Sequence, residues 1–220
     1  VRVDTSRFAY RKAFEKSRDT ADALSKGVNF LLKKNGVDLV RGTGKIIGKN
    51  QISIDGNASI SARNIVVATG SRPIELLPFP FDEKTVLSSD GALMLEELPE
   101  SMLILGGGAI GCEFAHIMNA FGAKVTIVEM LDRILPMEDP DTAGVLAREF
   151  KRRNIGMLVR TKAVSLEKSD TGIKLTVEKD AAQTVEYANK LLVVVGRRPN
   201  TEGLGLEELG ATAKAAVLGV

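Results

Sequence analysis

Apolar residues along this chain recur with two rhythms, and each rhythm predicts its own kind of element. Leu24, Val28, Leu31 and Leu32 fall at the i, i+4, i+7, i+8 spacing of one helical face. That spacing predicts a helix from Thr5 to Lys34 with this stripe buried. Asn35 and Gly36 follow as helix C-terminal signals. Val37 to Ile47, Gln51 to Ile54 and Ala58 to Ile60 are short β-prone stretches, divided by Gly48-Lys49-Asn50 and Asp55-Gly56-Asn57, and together they predict an antiparallel meander. Asn64 to Ala68 is a continuous apolar run, the composition of a strand covered on both faces.

From Pro73 to Pro99 the pattern loses its period, and Pro73, Pro78, Pro80 and Pro99 punctuate what reads as a crossover between domains. A second unit begins near Glu100. Met102 to Leu105 predicts a short buried strand, a helical pattern follows, and Lys124 to Val128 predicts a second strand. Asp139 and Pro140 mark a helix start, with Val145, Leu146, Ala147 and Phe150 on its apolar face. Met157 to Val159 reads as a further strand, and β-prone segments lie near Ala163 to Glu167, Ile173 to Glu178 and Thr184 to Tyr187. Leu191 to Val195 predicts another buried parallel strand. The stretches Ile65 to Pro73 and Val193 to Pro199 echo one another, each a strand followed by a Gly and an Arg-Pro bend, which suggests two related nucleotide-binding units.

Between the two strands of the second unit lies its chemistry. Gly106, Gly108 and Gly111 have the Gly-x-Gly-x-x-Gly spacing, after a strand and at the start of a helix, the context this motif requires. Gly106 permits a tight turn, Gly108 lets backbone approach a pyrophosphate, and Gly111 lets the helix pack close to the sheet. The first helical N–H groups lack intrahelical partners and carry partial positive charge, so they stabilise an anion without a lysine. Glu129 ends the second strand, about 20 residues beyond the glycines, where a carboxylate accepts from the adenosine ribose hydroxyls. A 2′-phosphate there would meet like charge, so NAD is expected over NADP, with Arg133 four residues on as the counter-argument.

Composition narrows the partners. With 30 Lys+Arg against 28 Asp+Glu and both signs dispersed, nothing points to nucleic acid or an anionic membrane. Lys151, Arg152 and Arg153 close a helical pattern, where cations complement the dipole. No apolar run is long enough to span a bilayer. The chain opens on Val1 without a signal-peptide layout, which leaves an upstream targeting segment open. The single cysteine, Cys112, excludes an internal disulfide. It is read as a small residue packed against the sheet rather than a thiol activated by the helix N-terminus. His116, one turn on, has no acid or nucleophile in sequence that makes it catalytic and is read as structural.

Several unrelated segments in one order carry a resemblance that covers nearly the whole chain. They are Leu24 to Val28 with Leu31 to Asn35, Gly42 to Ile46, Ala68 to Pro73, Arg133 to Pro136, Gly196 to Thr201 and Gly205 to Gly210. In these the chain resembles the pyridine nucleotide-disulfide oxidoreductases, above all their dihydrolipoamide dehydrogenase branch. The resemblance implies an α/β, three-layer Rossmann-like FAD/NAD(P)-binding fold. It has an NAD domain of parallel sheet and antiparallel β-meander, plus part of an FAD domain made of a helix and a β-meander. The expected division is residues 1–80 for the partial FAD domain, 81–98 for the crossover, 99–200 for the NAD domain and 201–220 for a return segment.

Carried over by position, Gly44, Thr69, Gly70 and Ser71 would approach FAD. Gly106, Gly107, Gly108, Ala109, Ile110, Gly111, Cys112 and Glu113, with Glu129, Ala163 and Gly196, would line the NAD site. Glu113 matches a family glutamate that pairs with a lysine beside the flavin, and is the one supporting catalytic position. Ala109 takes the gate position, and a small side chain there leaves the nicotinamide slot open. No metal is implied. The family's first glycine fingerprint, its Cys-x-x-x-x-Cys, its later Gly-Asp and its His-Glu pair are not in this sequence, so the chain resembles a fragment expected to be inactive alone.

For the parent the resemblance implies oxidation of dihydrolipoamide, free or on a lipoyl domain, through a cysteine disulfide redox centre and FAD to NAD⁺. It also implies a cytoplasmic homodimer associated with a 2-oxoacid dehydrogenase complex. Another family member (a mercuric reductase, NADH oxidase or coenzyme A disulfide reductase) or a stand-alone, non-catalytic NAD-binding module remains as an alternative.

Overall fold

The computed structural model describes residues 9–210, which divide into two compact units. One holds Pro73–Arg197 with the chain up to Thr20; the other holds Ala21–Arg72 and the chain from Arg198.

Helix α1 (Tyr10–Lys34) passes from one unit to the other. It ends as its sequence requires: Gly36 adopts φ 66°, the Gly36 N–H donates to the Lys33 carbonyl, and the Val37 N–H reaches back to Leu32 at 3.0 Å. That is a Schellman closure. The predicted buried stripe is not buried. Leu24, Val28 and Leu31 are 68%, 57% and 54% exposed, and only Leu32 is half-buried. Periodicity reports that a helix is amphipathic, and a layer to cover that face is a separate condition.

In the same unit, β1 (Gly44–Gly48), β2 (Gln51–Ile54) and β3 (Ala58–Ser61) form the predicted antiparallel meander, in order β1-β2-β3. Residues 37–43, expected to extend its first strand, are irregular. Residues 64–68 are also irregular, and Val66 is 86% exposed. Their composition suits a central strand, but among the described residues none pairs with them, and an unpaired apolar segment has no ladder to join. The two Arg-Pro bends are instead short extended strands, β4 (Ser71–Pro73) and a later counterpart at Arg197–Pro199. Arg72 forms a two-pronged bond to Glu202, and Arg198 joins the same carboxylate at 2.6 Å.

The larger unit is a three-layer α/β structure. Its strands β5 (Val86–Leu87), β6 (Ser101–Leu105), β7 (Lys124–Val128), β8 (Gly156–Leu158) and β12 (Lys190–Val193) form one parallel sheet in order β5-β12-β6-β7-β8. The segment read as a crossover supplies β5 and the short helix α2 (Ser89–Ala92). Helices α3 (Ala109–Ala120) and α4 (Pro140–Arg152) link β6 to β7 and β7 to β8. Asp139 caps α4 by accepting the Asp141 and Thr142 N–H groups, with Pro140 at its start, as predicted. Of its expected apolar face, Phe150 is buried, Leu146 and Ala147 are half-buried, and Val145 is 59% exposed. Strands β9 (Lys162–Ser169), β10 (Gly172–Lys179) and β11 (Ala182–Ala188) form an antiparallel meander in order β11-β10-β9.

Strand alternation divides the core in two. Met102, Ile104, Val125, Ile127 and Leu192 face the helices and meet Cys112, Ala115, Met118 and Phe150. Leu103, Leu105, Val128, Leu191 and Val193 face the other way and meet Ile173, Leu175 and Val177 of β10. Both faces of the parallel sheet are therefore covered, which is why its strands read as unbroken apolar runs. Asp82 pins the approach to β5: its Oδ1 accepts the Lys84, Thr85 and Val86 N–H groups, and its Oδ2 meets Lys168 Nζ at 2.6 Å.

Candidate functional site

Parallel strands that all point one way leave their carboxyl ends along one edge, and the glycine loop leaves β6 at that edge. Gly106 has φ 113°, a backbone open to glycine, and a Cβ there would stand 2.5 Å from the Val194 carbonyl oxygen. Its N–H donates to Val128 at 2.9 Å, so the turn starts while still bonded to β7. A Cβ on Gly111 would run into the Gly106 carbonyl oxygen, which is the close helix packing expected of that position. Gly108, the N-cap of α3, is different. A Cβ there would meet nothing, and the residue brings no side-chain bond to the helix end. The first intrahelical bond is from Cys112 N–H to the Gly108 carbonyl at 3.0 Å. The amides of Ala109, Ile110 and Gly111 therefore precede the first closed turn, beside open space, at the positive end of a 12-residue helix.

Glu129 ends β7 and comes directly under this loop. It is 8% exposed, with Oε2 accepting the Gly107 N–H at 2.6 Å and Oε1 accepting the Leu131 N–H at 2.7 Å. The next residues fold back over the glycines: Leu135, at φ 49°, donates its N–H to the Gly107 carbonyl at 2.7 Å. Arg133 in this strap donates to the Pro136 carbonyl at 3.0 Å and lies 3.4 Å from Asp132. Arg160 N–H bonds to the Leu131 carbonyl and Thr161 N–H to the Glu129 carbonyl, so the link from β8 to β9 is tied to the main chain at the end of β7.

Ala109 and Glu113 are exposed, Ile110 is half-buried, and Cys112 is 4% exposed with its Sγ 3.4 Å from the Gly107 carbonyl. Burial, helped by the charges of Glu129 and Glu113, pushes the Cys112 thiol up to about 11. It is a packed, neutral thiol. Ala163 is half-buried in β9, against the second core, and Gly196 follows β12 with φ 135°. His116 lies on the exposed side of α3, its Nδ1 3.1 Å from Arg153 Nη1; a guanidinium only donates, so that nitrogen accepts. Arg152 and Arg153 pair with Glu149 at 2.9 and 2.7 Å.

Gly44, Thr69, Gly70 and Ser71 belong to the smaller unit and are exposed. Thr69 Oγ1 donates to the Asn200 carbonyl at 2.6 Å, and the Gly70 carbonyl accepts the Asn200 N–H at 3.0 Å. The strap made by Leu131, Leu135 and Thr161 has no signature in apolar periodicity, because main-chain groups build it. Among the described residues no group of three or more His, Cys, Asp or Glu is placed to hold a metal, and no helix is long and apolar enough to cross a membrane.

The chain is similar to known proteins in sequence and fold. The chain is 36% identical to dihydrolipoyl dehydrogenase of Bacillus subtilis, over 96% of this chain and 48% of that protein. It is 40% identical to dihydrolipoamide dehydrogenase of Chaetomium thermophilum, over 90% of this chain and 40% of that protein. Among solved structures, LpdA from Mycobacterium tuberculosis superposes with a TM-score of 0.84 at 28% identity, over 93% of this chain and 46% of that one. The HOCl-induced flavoprotein disulfide reductase RclA from Escherichia coli superposes at 0.79 and 28% identity, over 94% and 48%. The chain thus spans about half the length of the relatives it matches. With the match extending over residues 4–217, the chain belongs to the pyridine nucleotide-disulphide oxidoreductase family.

Proposed function

We propose that this chain supplies the NAD-binding part, and some of the FAD-binding part, of a flavoprotein that oxidises dihydrolipoamide. One observation carries the reading. At Gly108 the chain lacks a side chain where nothing else needs the room, directly before a helix whose first amides are uncapped, with Glu129 at the neighbouring strand end. That is the geometry a diphosphate and its ribose require. The amides from Gly108 to Gly111 would hold the pyrophosphate, Glu129 the adenosine ribose, and Ala163 and Gly196 the borders of the slot. Ala109 would leave the nicotinamide side open, and Glu113 would help set the charge near the flavin.

In the smaller unit Gly44, Thr69, Gly70 and Ser71 would approach FAD. Thr69 and Gly70 already bond to Asn200, so these residues alone make a weak hold. The proposed division is residues 1–80 for the FAD-binding part, 81–98 for the crossover, 99–200 for the NAD domain and 201–220 for the return. In the whole protein, FAD would relay two electrons from a cysteine pair to NAD⁺. We place that protein in the cytoplasm as a homodimer serving a 2-oxoacid dehydrogenase complex. The sequence similarity to dihydrolipoyl dehydrogenases supports this choice.

Calorimetric titration of the 220-residue chain tests it. NADH is expected to bind at least about tenfold more tightly than NADPH, a difference of roughly 1.4 kcal/mol, because a 2′-phosphate would face the Glu129 carboxylate. Lipoamide-dependent NADH formation by this chain alone is expected to be nil. Equal affinity for the two coenzymes sinks the role given to Glu129, and no binding of either sinks the proposal.

A further inference from the structure

Glu129 does more in this structure than wait for a ribose. Its two carboxylate oxygens are each taken by a main-chain donor, Gly107 N–H at 2.6 Å and Leu131 N–H at 2.7 Å. The Gly107 carbonyl, on the other side of the same residue, is taken by Leu135 N–H at 2.7 Å and approached by Cys112 Sγ at 3.4 Å. Gly107 is buried, and a Cβ on it would lie 3.1 Å from Glu129 Oε2 and 3.2 Å from Ile134. The amide at the centre of the fingerprint is thus turned inward, and the first amides of α3 follow it, next to the open space at Gly108.

We infer that Glu129 is a positioning residue for the phosphate loop: it holds Gly107 and Leu131 together before any nucleotide arrives, so that the amides from Gly108 onward are already aimed outward. The inference rests on the nucleotide-binding reading and extends it. A flexible glycine loop loses conformational entropy when it is ordered, and ordering it in advance removes that cost from the binding step. Charge-assisted bonds suit the task, since each is stronger than a neutral one. A carboxylate can accept from both amides at once. A glutamine in its place has one acceptor oxygen and an NH₂ group that meets the second N–H donor to donor.

This gives an outcome opposite to that of a pure charge filter. If Glu129 only repels a 2′-phosphate, Glu129→Gln strengthens NADPH binding and leaves the loop unchanged. If it also holds the loop, Glu129→Gln weakens NADH by roughly tenfold, the scale of one charged hydrogen bond, and NADPH gains no affinity, because the loosened loop offsets the lost repulsion. Two further readouts separate loop control from ribose reading. The probe 2′,3′-dideoxyadenosine diphosphate keeps the diphosphate and offers no hydroxyls, and it is expected to bind the variant several-fold more weakly than the parent chain. Equal binding of this probe to both proteins overturns the inference.

The second readout needs no variant. Hydrogen exchange in the nucleotide-free chain is expected to show the Gly107 and Leu131 amides already protected, with little change on adding NADH. Amides that exchange freely until NADH is added overturn the inference even if Glu129→Gln does not fold. A chain that binds no NADH but shows both amides protected leaves the loop clamp standing and removes the functional reading, so the two failures are told apart.

Discussion

Two glycines three residues apart are expected to answer the same substitution in opposite ways. At Gly111 a methyl group is driven into the Gly106 carbonyl oxygen, with Ile104 Cγ2 at 3.4 Å on another side. The blocking atom is backbone, pinned by the Gly106 N–H bond to Val128, and cannot rotate away. Overpacking of this kind costs up to about 3 kcal/mol, against which alanine regains about 1 kcal/mol of helix propensity. The net loss of about 2 kcal/mol corresponds to a fall in Tm of roughly 4–8 °C for a domain of this size. At Gly108 the backbone, φ −72° and ψ −174°, suits any residue, and the added methyl meets no protein atom. Stability changes there by about 0.5 kcal/mol, the scale of exchanging N-cap residues. The methyl instead occupies the space proposed for the pyrophosphate, and NADH binding falls by roughly ten- to a hundredfold, as when one or two charge-assisted bonds are lost. Thermal unfolding and NADH titration of Gly108→Ala and Gly111→Ala measure both quantities. A Gly108→Ala chain that binds NADH like its parent refutes the site, and a Gly111→Ala chain with unchanged Tm refutes the packing argument.

Asp82 sets an acid limit on the larger unit. Partial burial pushes its carboxyl up, but Lys168 and the amides of Val86, Lys84 and Thr85 outweigh that and hold it well below the usual carboxylate range. A depressed carboxylate contributes fully above its unfolded pKa of about 3.9 and loses that contribution as pH falls towards the folded value. Asp82→Asn is expected to lower stability at pH 7 by about 1 kcal/mol, with the gap to the parent narrowing in denaturant titrations below about pH 4; a gap that persists unchanged to pH 2 contradicts this. Cys112, buried and raised to about 11, is expected to resist a disulfide reagent at pH 8 until the chain unfolds, and rapid labelling of the folded chain contradicts that. The Glu202 carboxyl, held down to about 2 chiefly by its bond from Arg72, is expected to return towards the ordinary glutamate range in Arg72→Ala when followed by NMR titration. A titration unmoved by that change assigns the depression to other groups.

The larger unit was readable because its signals are local. Met102 to Leu105 and Leu191 to Val193 are unbroken apolar runs since both faces of their sheet are covered, and Asp139-Pro140 caps its helix within four residues of sequence. The smaller unit was misread where burial depends on a neighbour. Leu24, Val28 and Leu31 have the spacing of a buried face and stand exposed, and residues 64–68 have a central strand's composition without a strand's partners. Hydrophobic spacing encodes what a segment can bury; what it does bury is settled by other segments.

The site divides along the same line. Glycine spacing and an acid at a strand end are one-dimensional facts, because backbone freedom at Gly106 and the absence of a Cβ at Gly108 are properties of single residues. The sequence alone therefore determined which backbone lacks a side chain at the head of α3 and which carboxylate ends the neighbouring strand. Tertiary structure alone decided that Glu129 bonds through both oxygens to Gly107 and Leu131 and that Leu135 closes over the loop. Those bonds join main-chain groups or residues up to 28 positions apart, Gly107 to Leu135. A main-chain amide is the same in every residue but proline, so only the folded path of the chain selects its partner.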